Sequence, residues 1–166
     1  MLFKPTFWLK SVLSIDADFL EKNQVRALVL DMDNTLSMHD DPDAEDGVME
    51  WLEEMKSLGV KMRVVSNNTA RRVAPLAQRM GLEFTANGAK PLTFGVNHAV
   101  KAMNAKKSET LVIGDQIFTD VLAGNFAGIR TVLVEPFHLE NKWTFRLKRR
   151  IESLVFNRDY TNLELK

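Results

Sequence analysis

Apolar residues along the chain fall into short, nearly continuous runs, separated by longer stretches in which they recur every three or four positions. The runs are Val25 to Leu30, Val60 to Val65, Leu82 to Ala86, Thr110 to Gly114 and Arg130 to Val134. Runs of this length that are apolar at neighbouring positions are expected of strands covered on both faces. Between them, Glu45 to Leu58 carries Val48, Trp51, Leu52, Met55 and Leu58 at helical spacing. Asp43, Glu45 and Asp46 suit the N-terminus of that helix, and Gly59 suits its end. Asn68 or Thr69 is expected to cap a second helix that runs through Met80 and is closed by Gly81. Pro91 fits the first turn of a third, reaching about Asn104, with Val96, Ala99, Val100 and Met103 inward. A fourth is expected from about Thr119 to Ala127. Strand and helix thus alternate about five times, which predicts an α/β fold: a three-layer, doubly wound parallel sheet.

The two ends depart from this pattern. Leu2 to Leu20 is dense in Phe3, Phe7, Trp8, Val12, Leu13, Ile15, Phe19 and Leu20 with weak periodicity, and is expected to be a loop plus a short helix strapped across the core. Contact with a membrane surface or partner is the alternative. Asn141 to Phe156 has Trp143, Leu147, Ile151, Leu154 and Val155 at helical spacing, with Lys142, Arg146, Lys148, Arg149 and Arg150 between them and no acid from 142 to 150. A basic amphipathic helix of this kind packs on its domain or lies on a membrane surface.

Composition narrows the classes. A chain of 166 residues, 45% of them hydrophobic, can build one domain with a sizeable core. The expected division is a strap over 1–24, a core over 25–136 and a basic amphipathic segment over 137–166. Lys plus Arg and Asp plus Glu both number 22, so the net charge is zero and no overall field points to nucleic acid. Cysteine is absent, which excludes disulfides, thiolate metal sites and cysteine nucleophiles and fits a cytoplasmic protein. No apolar run approaches the roughly 18 residues that a membrane span needs. The N-terminus, broken by Pro5 and Lys10, does not read as a secretory signal.

Chemistry concentrates at the ends of the runs. Asp31 and Asp33 follow the first, Ser66 and Asn67 the second, Lys90 stands just before Pro91, and Asp115 and Asp120 follow the fourth. In a parallel sheet these points converge on one edge, where ligands of open α/β sheets bind. Carboxylates crowded together would take up protons unless a cation intervened, and hard oxygen ligands suit Mg²⁺. Ser66 and Lys90 are donors of the kind an oxyanion needs. A calcium loop starting at Asp31 is excluded, because the sixth position is Leu36 instead of Gly and the twelfth is Pro42 instead of Glu. The set calls for a phosphoryl group held between a metal, a lysine and hydroxyl or backbone donors.

Four segments in order resemble the haloacid dehalogenase-like superfamily of phosphohydrolases: Asp31-Met-Asp33-Asn-Thr35, Ser66 after Val64-Val65, Lys90 before Pro91, and Gly114-Asp115-Gln-Ile-Phe-Thr119-Asp120. The resemblance implies a Rossmann-like core and an aspartyl-phosphate mechanism. Asp31 would be the nucleophile, and Asp33 the acid that protonates the leaving oxygen and then the base that activates water. It also implies Mg²⁺ held by the Asp31 and Asp115 side chains and the Asp33 carbonyl, with Asp120 and Thr35 in support. Ser66, Asn67 and Lys90 would bind the phosphoryl group.

No large cap domain is expected. Only a short acidic loop separates Leu36 from Val48, and the residues between Ser66 and Lys90 are spent on one helix and one strand. An uncapped site admits a bulky phosphate or is closed by a second subunit, so an oligomer is open. Within the capless subclass IIIA, the short acidic motif, the aromatic strap and the basic C-terminal segment resemble the YqeG-type phosphatases, which are similar to phosphatidylglycerophosphate phosphatases. That implies a phospholipid substrate, met peripherally at the inner face of the membrane through the two terminal segments. The alternatives are a soluble sugar or nucleotide phosphatase of the same mechanism, a non-catalytic phosphoacceptor and a lipid-binding scaffold.

Overall fold

In the computed structural model, which describes residues 2–37 and 43–136, six parallel strands form a single sheet in the order β1-β6-β5-β2-β3-β4. They are β1 (Phe7–Leu9), β2 (Ala27–Leu30), β3 (Lys61–Val65), β4 (Glu83–Thr85), β5 (Thr110–Gly114) and β6 (Arg130–Val134). The helices are α1 (Ala17–Lys22), α2 (Val48–Ser57), α3 (Ala70–Arg79), α4 (Phe94–Ala102) and α5 (Leu122–Ala127). From β2 the chain steps through β3 to β4, then crosses back to β5 on the other side of β2. The strand order therefore reverses between β2 and β5, where a crevice opens beyond the carboxyl ends.

Alternation along the central strands builds the three layers. Leu28, Leu30, Val64, Leu111 and Ile113 point into the larger core with Trp51, Leu52 and Met55 of α2 and Val73 and Leu76 of α3. Val29, Val65 and Val112 point the other way, against Val96, Ala99 and Val100 of α4 and Ala123 and Ala127 of α5. All four residues of β2 are buried, as a strand sandwiched between helices requires.

The N-terminal segment differs from expectation in part. It does pack as a strap, with Val12 and Ile15 fully buried and the Trp51 indole N–H donating to the Ile15 carbonyl at 2.8 Å. Its first part, however, is a sixth strand: Phe7 pairs with Val132 and Leu9 with Val134. Phe7 joins the main core while Trp8 joins a small cluster with Ile117, Val121 and Leu133. Three residues are too few for period-two alternation to show in sequence, and the pairing partner lies more than 120 positions away.

Two helix starts also differ. Pro91 lies outside α4, which begins at Phe94, because the Lys90 segment is tied to the β3 tip. The helix expected from Thr119 opens instead with one wide turn, Ile117–Val121, in which each N–H reaches one residue further back than in an α-helix, and becomes α-helical at Leu122. Such turns are frequent at functional sites. The basic run at Asn141 to Phe156 and residues 38–42, where the acidic stretch begins, lie outside the described residues.

Candidate active site

The β2 and β5 tips sit side by side, with the Asp31 N–H donating to the Ile113 carbonyl at 2.9 Å. That register places Asp31 and Asp115 at the same level of the sheet edge. Asp120 comes down onto them from the wide turn, where its Oδ2 accepts from the Gln116 N–H at 3.1 Å and the Thr119 hydroxyl at 3.2 Å. Room for it comes from Gly114, since a Cβ there would collide with the Asp120 carboxyl group. The side-chain oxygens of Asp31, Asp115 and Asp120 lie within 4.8 Å of one another.

Lys90 enters this acidic group from the loop before α4. Its Nζ donates to Asp31 Oδ1 and Asp120 Oδ1, both at 2.6 Å, and its side chain is 4% exposed. The lysine is positioned through its backbone: Asn67 donates from Nδ2 to the Lys90 carbonyl at 2.9 Å and accepts the Lys90 N–H on Oδ1 at 2.7 Å. Both ends of the Asn67 amide are thus engaged with the Lys90 peptide. Ser66 is buried at the β3 tip, where its hydroxyl accepts from the Asn68 N–H at 3.1 Å.

Asp33 is held separately. Its Oδ2 accepts from Asn68 Nδ2 at 2.6 Å and its Oδ1 pairs with the Arg72 guanidinium at 3.1 Å. Although it stands two positions from Asp31, it belongs to the β3–α3 side of the crevice and not to the carboxylate group at β5. The turn that carries Asp33 is tight: the Leu36 N–H donates to the Met32 carbonyl at 3.0 Å and Asn34 adopts φ 58°. Thr35 is fully buried inside that turn. Of the residues named from sequence, Asp31 and Asp120 meet Lys90 directly with Asp115 close by, Ser66 and Asn67 frame them from β3, and Asp33 stands beside them. Asn68 was named only as a helix cap and Arg72 not at all, since nothing in Ala-Arg71-Arg72-Val distinguishes the two arginines.

The electrostatics of the group are unbalanced. Burial is the largest influence on Asp31, pushing its carboxyl up to about 7; the Lys90 ammonium opposes the shift, while Asp120 and Asp33 add to it. Burial also penalises the Lys90 charge, but the Asp120 and Asp31 carboxylates outweigh it and hold the ammonium above its usual range. Three carboxylates and one ammonium leave two negative charges, the complement of one divalent cation. Oxygen-only donors of this kind, with no imidazole or thiolate among the three, fit Mg²⁺.

A family model described as haloacid dehalogenase-like hydrolase matches residues 37–128. The chain is 37% identical to the probable phosphatase YqeG of Bacillus subtilis, over 93% of this chain and 90% of that one. It is 26% identical to the phosphatidylglycerophosphate phosphatase 1 of Arabidopsis thaliana, over 93% of this chain but only 47% of that longer protein. In fold it is similar to NagD of Escherichia coli K-12, with a TM-score of 0.57 and 16% identity over 66% of this chain and 87% of that one. With the sheet, its switch point and the four tip segments in place, the chain belongs to the haloacid dehalogenase-like hydrolase family, within its YqeG-type phosphatase branch.

Proposed function

We propose that this phosphatase is a Mg²⁺-dependent phosphomonoester hydrolase that works through an aspartyl-phosphate on Asp31 and acts on phosphatidylglycerophosphate at a membrane surface. The observation that carries the mechanism is the separation of the two aspartates. Asp31 lies with Lys90 in the carboxylate group, whereas Asp33 is held by Asn68 and Arg72 outside it.

In this reading a carboxylate oxygen of Asp31 attacks phosphorus as the bond to the ester oxygen breaks, and Asp33 gives its proton to that oxygen as it leaves. Asp33, now ionised, takes a proton from a water that attacks the phosphorus, releasing inorganic phosphate and restoring Asp31. Lys90 and Ser66 meet the phosphoryl oxygens, where donors fixed in advance favour the crowded negative charge of the transition state. Asp31 and Asp115, with the Asp33 carbonyl and Asp120 nearby, would hold Mg²⁺, which when bound supplies the positive charge missing from the group. Thr35, buried beneath the turn, supports the position of Asp31 and Asp33.

The substrate reading rests on openness and on the ends of the chain. Between Ser66 and Lys90 there is only α3 and β4, so among the described residues no inserted domain stands over the crevice to select a small molecule. Leu92 and Phe94, two and four residues beyond Lys90, are 68% and 69% exposed. Apolar side chains beside a site that takes an anionic headgroup suit a lipid surface, as does the basic run from Lys142 to Arg150. Among the described residues no helix is long and apolar enough to cross a membrane, which is compatible with peripheral contact. The Arabidopsis relative carries this activity in its name.

The test is phosphate release from phosphatidylglycerophosphate in anionic vesicles against a panel of soluble sugar and nucleotide monophosphates, with Mg²⁺ or EDTA. The lipid should be turned over at least about tenfold more efficiently, a difference of about 1.4 kcal/mol. Asp31→Asn should abolish release, and Asp33→Asn should slow it about 10²- to 10⁴-fold with binding retained. Preference for a soluble ester would overturn the lipid substrate; full activity in Asp31→Asn would overturn the mechanism.

A further inference from the structure

We propose that Arg72 is a positioning residue of the reaction: from the first turn of α3 it holds the Asp33 carboxyl group on the leaving-group side of the crevice, apart from the carboxylates grouped around Lys90. This rests on the reading that Asp33 is the proton donor.

The geometry is specific. Lys90 is already engaged by two carboxylates at 2.6 Å, and a divalent cation beside Asp31 would balance the charge that remains, so neither is available to hold Asp33. An Asp33 side chain free to rotate would leave the position from which its carboxyl group can meet the ester oxygen. The Arg72 guanidinium, 3.1 Å from Asp33 Oδ1, and Asn68 Nδ2, 2.6 Å from Oδ2, hold it from the β3–α3 side.

Both holders are well anchored. Asn68 donates its N–H to Ser66 Oγ at 3.1 Å and accepts from the Asn87 N–H at 2.9 Å, and the Arg72 N–H donates to the Thr69 carbonyl at 3.0 Å. The Arg72 side chain is 37% exposed and Asp33 18%, so the pair sits at the mouth of the crevice, where its removal leaves the core intact. Arg71, the exposed neighbour in the same turn, is the internal control.

The step that Arg72 serves transfers the Asp33 proton to the bridging oxygen as the P–O bond breaks and the Asp31 oxygen-to-phosphorus bond forms. A leaving group that is itself a stable anion hardly needs that proton; a poor one does. The experiment therefore measures kcat/KM of the full chain in Mg²⁺ for substituted phenyl phosphates, from p-nitrophenyl to phenyl phosphate. This ratio reports only events up to the first phosphoryl transfer. Arg72→Ala, and Arg72→Gln as a second variant of similar length, should lose about tenfold or more on phenyl phosphate but less than about threefold on p-nitrophenyl phosphate, part of the range a general acid supplies.

Added to Asp33→Asn, Arg72→Ala should cost less than about twofold further, because residues acting as one unit are not additive. Arg71→Ala should keep the wild-type dependence on leaving group. An equal loss across the series, or full additivity with Asp33→Asn, would overturn the positioning role while leaving the proposed mechanism standing. A flat dependence retained in Asp33→Asn itself would instead remove Asp33 as the donor, and the role of Arg72 with it.

Discussion

Replacing Lys90 by methionine keeps the apolar stem and removes the charge, and so isolates what the ammonium does for the fold. In the wild type it touches Asp31 and Asp120 at 2.6 Å with its side chain 4% exposed. Without it, the oxygens of Asp31, Asp115 and Asp120 face one another within 4.8 Å. Two unit charges at that separation repel by about 3.5 kcal/mol for an effective dielectric constant of about 20. Stripping one partner from a buried ion pair costs about 3–5 kcal/mol, a figure of the same size. We therefore expect Lys90→Met to lose about 3–5 kcal/mol at pH 8 in EDTA, a large part of the roughly 5–15 kcal/mol of an ordinary domain. Urea unfolding would read this as a midpoint lowered by about 2 M for an m-value of about 2 kcal/mol per M. Mg²⁺ should return more stability to the variant than to the wild type, since the variant presents one more unbalanced charge. A loss below about 1 kcal/mol in EDTA would refute the charge balance drawn here.

Gly114→Ala should be costly for a steric reason, because the added methyl falls on the Asp120 carboxyl group. Overpacking of this kind costs about 1–3 kcal/mol, and displacement of Asp120 and Lys90 should lower kcat by about 10²-fold, both readable from a urea melt and a phosphate-release assay. The pH dependence of the metal-free protein follows from Asp31. Its carboxyl is raised in the fold from 3.8 to about 7, so between those values the folded state keeps a proton that the unfolded state has released. Asp31 should therefore lower stability progressively as pH rises from about 4 to about 7, with no further change above. Measured as the difference between wild type and Asp31→Asn in EDTA, the trend should run against the wild type. A difference that is flat, or that favours the wild type as pH rises, would refute it.

Much of this molecule is legible without coordinates. The runs at Val25 to Leu30, Thr110 to Gly114 and Arg130 to Val134 are apolar on both faces because helices cover both sides of the sheet, and that demand is local enough to read along the chain. The tip segments are legible for a related reason: a parallel sheet sends every strand end to the same edge, so Asp31, Ser66, Lys90 and Asp115 had to converge once the strands were identified. What stayed hidden depends on partners distant in sequence. Phe7–Leu9 is a strand because Val132 to Val134 offers it an edge, and nothing within the three residues says so. The wide turn before α5 exists because Asp120 must reach Lys90, thirty positions away.

The surroundings of the two aspartates show the same limit most sharply. The sequence by itself determined that two carboxylates stand one residue apart at the end of the central strand. Only the tertiary structure decided their surroundings, giving Asp31 to Lys90 and Asp33 to Asn68 and Arg72. The physical reason is that a charge takes its character from the charges and donors brought within a few ångströms, and folding selects those from anywhere in the chain.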